Sequence, residues 1–162
     1  MFHPLDQRGV TLTEVMIVGI IGTLVMGGLV AFYLSSQLTW LDASTQAITQ
    51  REATFVTSTI ADSVRKSGKA QVVPSPDGAH SHLALFHKAS DATPFTYFYW
   101  NAADSSVHNG TSDGGDHGPM TQAKVRRFAV TATGTQVAVD LELSSRAGKF
   151  ALTTQTVMIN RP

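Results

Sequence analysis

One uncharged run constrains this chain more than any other feature. From Val15 to Leu41 no residue carries a charge, and Glu14 is the sole charge between Val10 and Leu41. The most apolar part, Val15 to Leu34, is about twenty residues long. At about 1.5 Å of rise per helical residue it matches the roughly 30 Å hydrocarbon core of a bilayer. A secretory signal peptide has an apolar region of only about 7–15 residues, followed by a small-residue cleavage site. This run is longer, and no Ala-x-Ala pattern follows it. A buried core helix would need the rest of a 162-residue chain to wrap an all-apolar rod. The run therefore reads as a membrane-spanning helix. Arg8 precedes it and the next basic residue is Arg51, so the positive-inside tendency places Met1–Gly9 in the cytoplasm and the bulk of the chain outside.

The helix is expected to continue beyond the bilayer. No proline occurs between Pro4 and Pro74, and no glycine between Gly28 and Gly68. Leu34, Leu38, Leu41, Ile48, Phe55, Ile60 and Val64 recur at near-helical spacings, as an apolar stripe expected to pack on the chain's own domain. Gly68 is the expected stop, with Arg65 and Lys66 in the last turn. From Ala70 the pattern turns to alternation, clearest in Val137, Val139, Leu141 and Leu143. Leu83–His87, Phe95–Trp100, Val125–Thr131 and Phe150–Ile159 read as further strands. Turns are expected at Pro74–Gly78, at Gly134 and at Ala147-Gly148. Asn101–Gln122, rich in Asp, Ser, Gly, Asn and His, reads as a long surface loop. The expected fold is α+β: a long N-terminal helix, half in the membrane and half amphipathic, packed on a C-terminal antiparallel β-sheet. Its divisions are a leader at 1–9, a membrane segment at 10–34, an amphipathic continuation at 35–69 and a β-rich domain at 70–162.

Glu14 is the anomaly in this plan. A carboxylate at the edge of an apolar run is costly unless it is solvated at the headgroup level or paired with a cation. Both readings stand on the residues alone. The surrounding sequence, Gly9-Val10-Thr11-Leu12-Thr13-Glu14-Val15-Met16-Ile17-Val18, resembles the class III signal of type IV pilins and type II secretion pseudopilins: a glycine, a hydrophobic residue, Thr-Leu, a glutamate four positions after the hydrophobic residue, and a long apolar helix. The likeness covers Arg8 to about Gln37. It implies a pilin-like fold, cleavage after Gly9 by a prepilin peptidase, N-methylation of the new terminus at Val10, and pairing of Glu14 with the N-terminal amine of a neighbouring subunit. It further implies other pilins or pseudopilins, an inner-membrane assembly machinery and the lipid bilayer as partners, with the helices packed as a filament core. The chain departs from the usual pattern at Val10, where Phe is most common, and at Ala31, near which many major pilins carry a helix-breaking proline. Gly19, Gly22, Gly27 and Gly28 either weaken the helix in its place or offer small faces for helix packing, the preferred reading. Cysteine is absent, which argues against the disulfide-bounded loop of many major pilins. Ile60–Gly68 and Val157–Arg161 resemble minor pilins of the W type and J-type pseudopilins.

Other chemistry finds little support. With 12 basic and 12 acidic residues the net charge is zero, so nothing draws the chain to nucleic acid as a whole. Lys124, Arg126 and Arg127 supply little phosphate affinity, and two of them would face opposite sides of a strand. Asp104, Asp113 and Asp116 invite a calcium reading, but they lack the spacing of a calcium loop and a closing glutamate, so a solvated loop is expected. His80 and His82 would share one face of a strand near His87, but no third ligand is visible, and His108 and His117 fall in the expected loop. No metal or cofactor is expected. No hydrolase elbow, phosphate loop or dinucleotide fingerprint occurs, so no enzyme is expected. The expectation is a pilin-like structural subunit, more a minor than a major one, held in the inner membrane and then in a filament. A membrane-anchored binding module that never polymerises is the alternative.

Overall fold

The computed structural model describes residues 10–111, 115–145 and 148–159. The leader Met1–Gly9, Asp113, Gly114, Ala147, Asn160 and Arg161, all invoked above, lie outside them. The chain is α+β: one long helix, α1 (Leu12–Lys66, 55 residues), precedes two antiparallel sheets. Arg65 and Lys66 occupy its last turn, where cations offset the carbonyl-rich end. The chain falls into two units, Met1–Leu41 and Asp42–Pro162.

In the first unit every residue from Val10 to Leu41 is exposed. By length and composition α1 is long and apolar enough to cross a membrane. Its valine, isoleucine, leucine and methionine side chains form far more apolar surface than a soluble helix leaves to water.

In the second unit the strands β1 (Lys69–Pro74), β2 (Ser81–Phe86), β3 (Thr96–Asn101), β4 (Ser106–Thr111) and β5 (Gly115–Pro119) form a five-stranded meander. The strands β6 (Lys124–Thr133), β7 (Gln136–Ser145) and β8 (Gly148–Val157) form a three-stranded one. β7 follows the expected alternation, with Val137, Val139, Leu141 and Leu143 buried. Gly134, at a φ of 61°, turns β6 into β7. The single expected sheet is thus two, and Asn101–Gln122 is not a loop throughout, because it contains β4 and β5. Ser-Val-His-Asn-Gly-Thr has little strand propensity of its own. Pairing with β3, from Tyr97 opposite Gly110 to Asn101 opposite Ser106, makes it a strand. Gly110 is required there because the Tyr97 ring occupies the space of a Cβ.

One core joins the second unit. Ala53, Val56, Ile60 and Val64 of α1 meet Leu83, Leu85, Phe98 and Val107 of the first sheet and Val125, Phe128, Val130, Val137, Val139, Leu141 and Leu143 of the second. The sheets are tied by backbone. The Phe128 N–H donates to Ala79 O at 3.0 Å, the Val125 N–H to Ser105 O at 2.7 Å, and the Val130 N–H to Ser81 Oγ at 3.2 Å. Glu52 of α1 accepts the N–H groups of Gln122 and Ala123 at 3.1 and 2.9 Å.

The packed face of α1 differs from the expected stripe. Ile60 and Val64 are buried, but Ile48 and Phe55 remain 57% and 56% exposed. The inward line is Thr49, Ala53, Val56, Thr57, Ile60, Ala61 and Val64. Thr49 and Thr57 return their hydroxyl protons to the carbonyls of Thr45 and Ala53 at 2.9 and 2.8 Å, so neither is buried unpaired. Ile48 and Phe55 lie one residue off this line, about 100° around the helix.

This assignment is tested by truncation. Ile60→Ala should cost about 2–5 kcal/mol, the range for a large-to-small change in a closed core. Phe55→Ala should cost no more than about 0.5–1 kcal/mol. Denaturant unfolding of the full chain in detergent reads both, and equal losses would place Phe55 in the core.

Candidate functional site

The start of α1 is built by Thr11. Its carbonyl accepts the N–H of Val15 at 3.3 Å and its hydroxyl accepts the N–H of Glu14 at 3.3 Å. Glu14 answers: its Oε2 accepts the Thr11 N–H at 3.3 Å and lies 3.4 Å from the Thr11 hydroxyl. Thr11 is thus the N-cap and Glu14 the third helical residue of a reciprocal capping box. The Thr-x-x-Glu signal was present in the sequence and gives Glu14 a role within its own chain that the bilayer argument overlooked. Val10 and Glu14 are exposed and, with Val15 and Val18, line one open hollow. The carboxylate thus stands at the positive end of the helix dipole, beside the residue that cleavage after Gly9 would make the chain terminus. Gly9 itself lies outside the described residues.

A second cluster lies on the face of the five-stranded sheet turned away from α1. His108 of β4 is only 4% exposed. Its Nδ1 is 2.7 Å from Asp116 Oδ2 on β5, and its Nε2 is 2.7 Å from Asp104 Oδ2 in the β3–β4 turn. The Tyr99 hydroxyl donates to Asp116 at 3.0 Å, and its ring packs on His108. The N–H groups of Gly118 and Ser106 donate to Asp116 and Asp104 at 2.9 and 3.1 Å. Burial alone would discharge His108, but its hydrogen bonds to both carboxylates outweigh it and raise the pKa above the ordinary histidine value. The hydrogen bond to His108 lowers Asp104, and the Gly118 N–H is foremost in lowering Asp116. Burial raises Tyr99.

This geometry changes two expectations. His108 is a buried strand residue rather than part of a loop. Asp104 and Asp116 do approach one another, but the imidazole fills the space between them, where a calcium ion would have to sit. Asp113 lies outside the described residues. His117 of β5 turns to the Thr111 hydroxyl, 3.2 Å away.

His80 and His82 do not share a face. His80 bonds Asp77 through Nδ1 and stacks on Trp100 at 3.7 Å, while His82 packs beside Tyr97 and Tyr99. The alternation fails because His80 precedes β2 and forms an isolated bridge with Phe128. The bond to His80 lowers Asp77, and burial lowers His82. His87 stacks on Phe95. Among the described residues no three His, Asp or Glu side chains are grouped so as to hold a metal ion. Arg126 and Arg127 are both exposed, because a bulge between Val125 and Arg127 breaks the alternation. Arg127 is paired with Asp140 at 3.1 Å.

The cap is separable from the charge. Thr11→Ala removes one half of the box and should cost about 1 kcal/mol of helix stability. Hydrogen exchange should accelerate in the first turn, Leu12 to Val15, and not in the turn containing Ile60. An unchanged first turn would mean that the cap contributes nothing. Comparison of the chain with protein-family models, with curated proteins and with solved structures gave no match.

Proposed function

We propose that the chain is a pilin-like structural subunit. A prepilin peptidase would cut after Gly9, Val10 would become the N-methylated terminus, and Glu14 would guide the subunit into a type IV pilus or a type II secretion pseudopilus, as a minor component. Its partners would be other pilins or pseudopilins, the peptidase, the inner-membrane assembly machinery and the bilayer, with no role for nucleic acid and no catalysis. The observation that carries this reading is the placement of one carboxylate, exposed beside Val10, at the head of a fully exposed apolar helix that continues into the core of a β domain. Such a helix suits storage in lipid and later packing against copies of itself. In low dielectric a carboxylate and an ammonium attract far more strongly than in water, although desolvation takes back much of the gain.

The capping box favours a second reading, the anchored module that never polymerises. There Glu14 serves its own helix and needs no partner. Glu14→Gln separates the two. Glutamine can return the same hydrogen bond to the Thr11 N–H but carries no charge to pair with an amine. In the filament reading, Glu14→Gln and Glu14→Ala both abolish incorporation into sheared filaments while the protein stays in the membrane. Incorporation of the glutamine variant at the parental level would remove the charge-pairing role. The pathway itself is read by mass spectrometry of the N-terminal peptide from native membranes. A peptide beginning at methylated Val10 is expected, and an intact Met1 in cells that process other prepilins would favour the anchored module.

A further inference from the structure

We propose that His108 is a protonation latch: its doubly protonated ring, held between Asp104 and Asp116, locks β5 onto the five-stranded sheet, and loss of one ring proton releases one carboxylate and loosens β5. The argument rests on valence. Ionised carboxylates only accept hydrogen bonds. Both ring nitrogens of His108 stand 2.7 Å from a carboxylate oxygen, so both must donate, and only the imidazolium has two N–H groups. A neutral ring turns one lone pair towards an oxygen lone pair, and the ring itself is buried, so the part-exposed carboxylate must turn away to water to relieve the clash.

β5 is the element that such a latch would control. It is a five-residue strand at the edge of the sheet, its register with β4 is broken between His108 and Gly110, and Gly115 and Gly118 both have positive φ. Pairing with β4 and the bonds of Asp116 and His117 hold it. The chain runs directly from β5 into the segment that closes on α1, where the Met120 N–H donates to Val107 O at 2.8 Å and Gln122 and Ala123 donate to Glu52. That segment, Pro119 to Gln122, lines a cavity of about 460 Å³ with the exposed Ile48 and Phe55 of α1 and with Arg51 and Glu52. Loosening of β5 reaches this hollow at Pro119, where the strand ends, while Met120, Gln122 and Ala123 keep their own bonds to β4 and α1.

The charged and titratable groups facing His108 are Asp104 from the turn, Asp116 from β5 and Tyr99 from β3, and the uncharged Asn101 amide stands 3.5 Å from Nε2. His82 of β2 reaches Tyr99 but not the ring, and Lys124 and Arg126 of β6 lie by Ser105 rather than by His108. A raised histidine pKa contributes stability that is complete below the unfolded value of 6.5 and is lost as pH rises through the folded value. The depressed carboxylates contribute stability that is complete above 3.8 and is lost as pH falls through their folded values. The latch is closed between these limits and opens on the alkaline side.

The test uses the full chain in detergent micelles. NMR titration of the ring nitrogens gives the His108 midpoint. Hydrogen exchange of the amides of β5 and of β7, corrected for the intrinsic pH dependence, is compared at pH 5.5 and pH 9. The expected result is a His108 midpoint above 6.5 and a fall in β5 protection of clearly more than about twofold, with β7 unchanged. Asp116→Asn should lower the His108 midpoint and abolish the pH dependence of β5. A midpoint at or below the ordinary value overturns the proposal, as does β5 protection that stays constant within about twofold. The unmodified chain decides the matter alone if the variant does not fold.

Discussion

The second unit depends on one face of α1. The five-stranded sheet brings Leu83, Leu85, Phe98 and Val107 to the core, and the three-stranded sheet brings Phe128, Leu141 and Leu143. Ala53, Val56, Ile60 and Val64 complete that core and are fully buried. A sheet of three strands buries one face only if something covers it, and here the cover comes from α1. The same helix, in Val10–Leu41, exposes every residue. A single backbone ladder thus runs through two segments of opposite character: one packs its side chains into a β domain, and the other is apolar and exposed along its whole length.

Charge placement follows from this economy. The first unit has one described carboxylate, Glu14, and it is spent at the one position where a helix welcomes a negative group. In the second unit the buried histidine stands between two acidic residues, so the cluster supplies its own cation. That explains how Asp104 and Asp116 can approach one another on a sheet face, with the imidazole between them. It also means that the acidic run around residues 101–122 is a structural device at least in part, and that its electrostatics are internal to the fold.

Several elements were legible because they rest on near-neighbour patterning. The bilayer-length run, the uninterrupted helix, its stop near Lys66 and the alternation of β7 all follow from spacings within a few residues. The losses have an equally definite cause. β4 and β5 carry too few apolar residues to announce strands: β4 exists because Tyr97, Tyr99 and Asn101 of β3 lie opposite it, and β5 because it pairs with β4. Ile48 and Phe55 are large and apolar, yet the inward line of α1 passes them by. The sheets cover instead the line containing Thr49, Ala53, Val56 and Ile60, a choice that size and hydropathy in α1 alone do not reveal. The bulge that exposes both Arg126 and Arg127 is a pairing event between β6 and β7 and leaves no mark in β6 alone. The capping box is a different case, since Thr11 and Glu14 display it openly.

By itself the sequence determined the long helix, the membrane-length apolar segment, the cap at Thr11 and Glu14, and the strands β2, β3, β6, β7 and β8, because each depends on local propensity and on the 3.6- and 2-residue periods of the backbone. Tertiary structure alone decided that there are two sheets, which face of α1 they cover, and that Asp104, His108 and Asp116 form one charged unit. Those outcomes depend on strand register and on which helix face the two sheets cover. Both are settled by residues far apart in the chain.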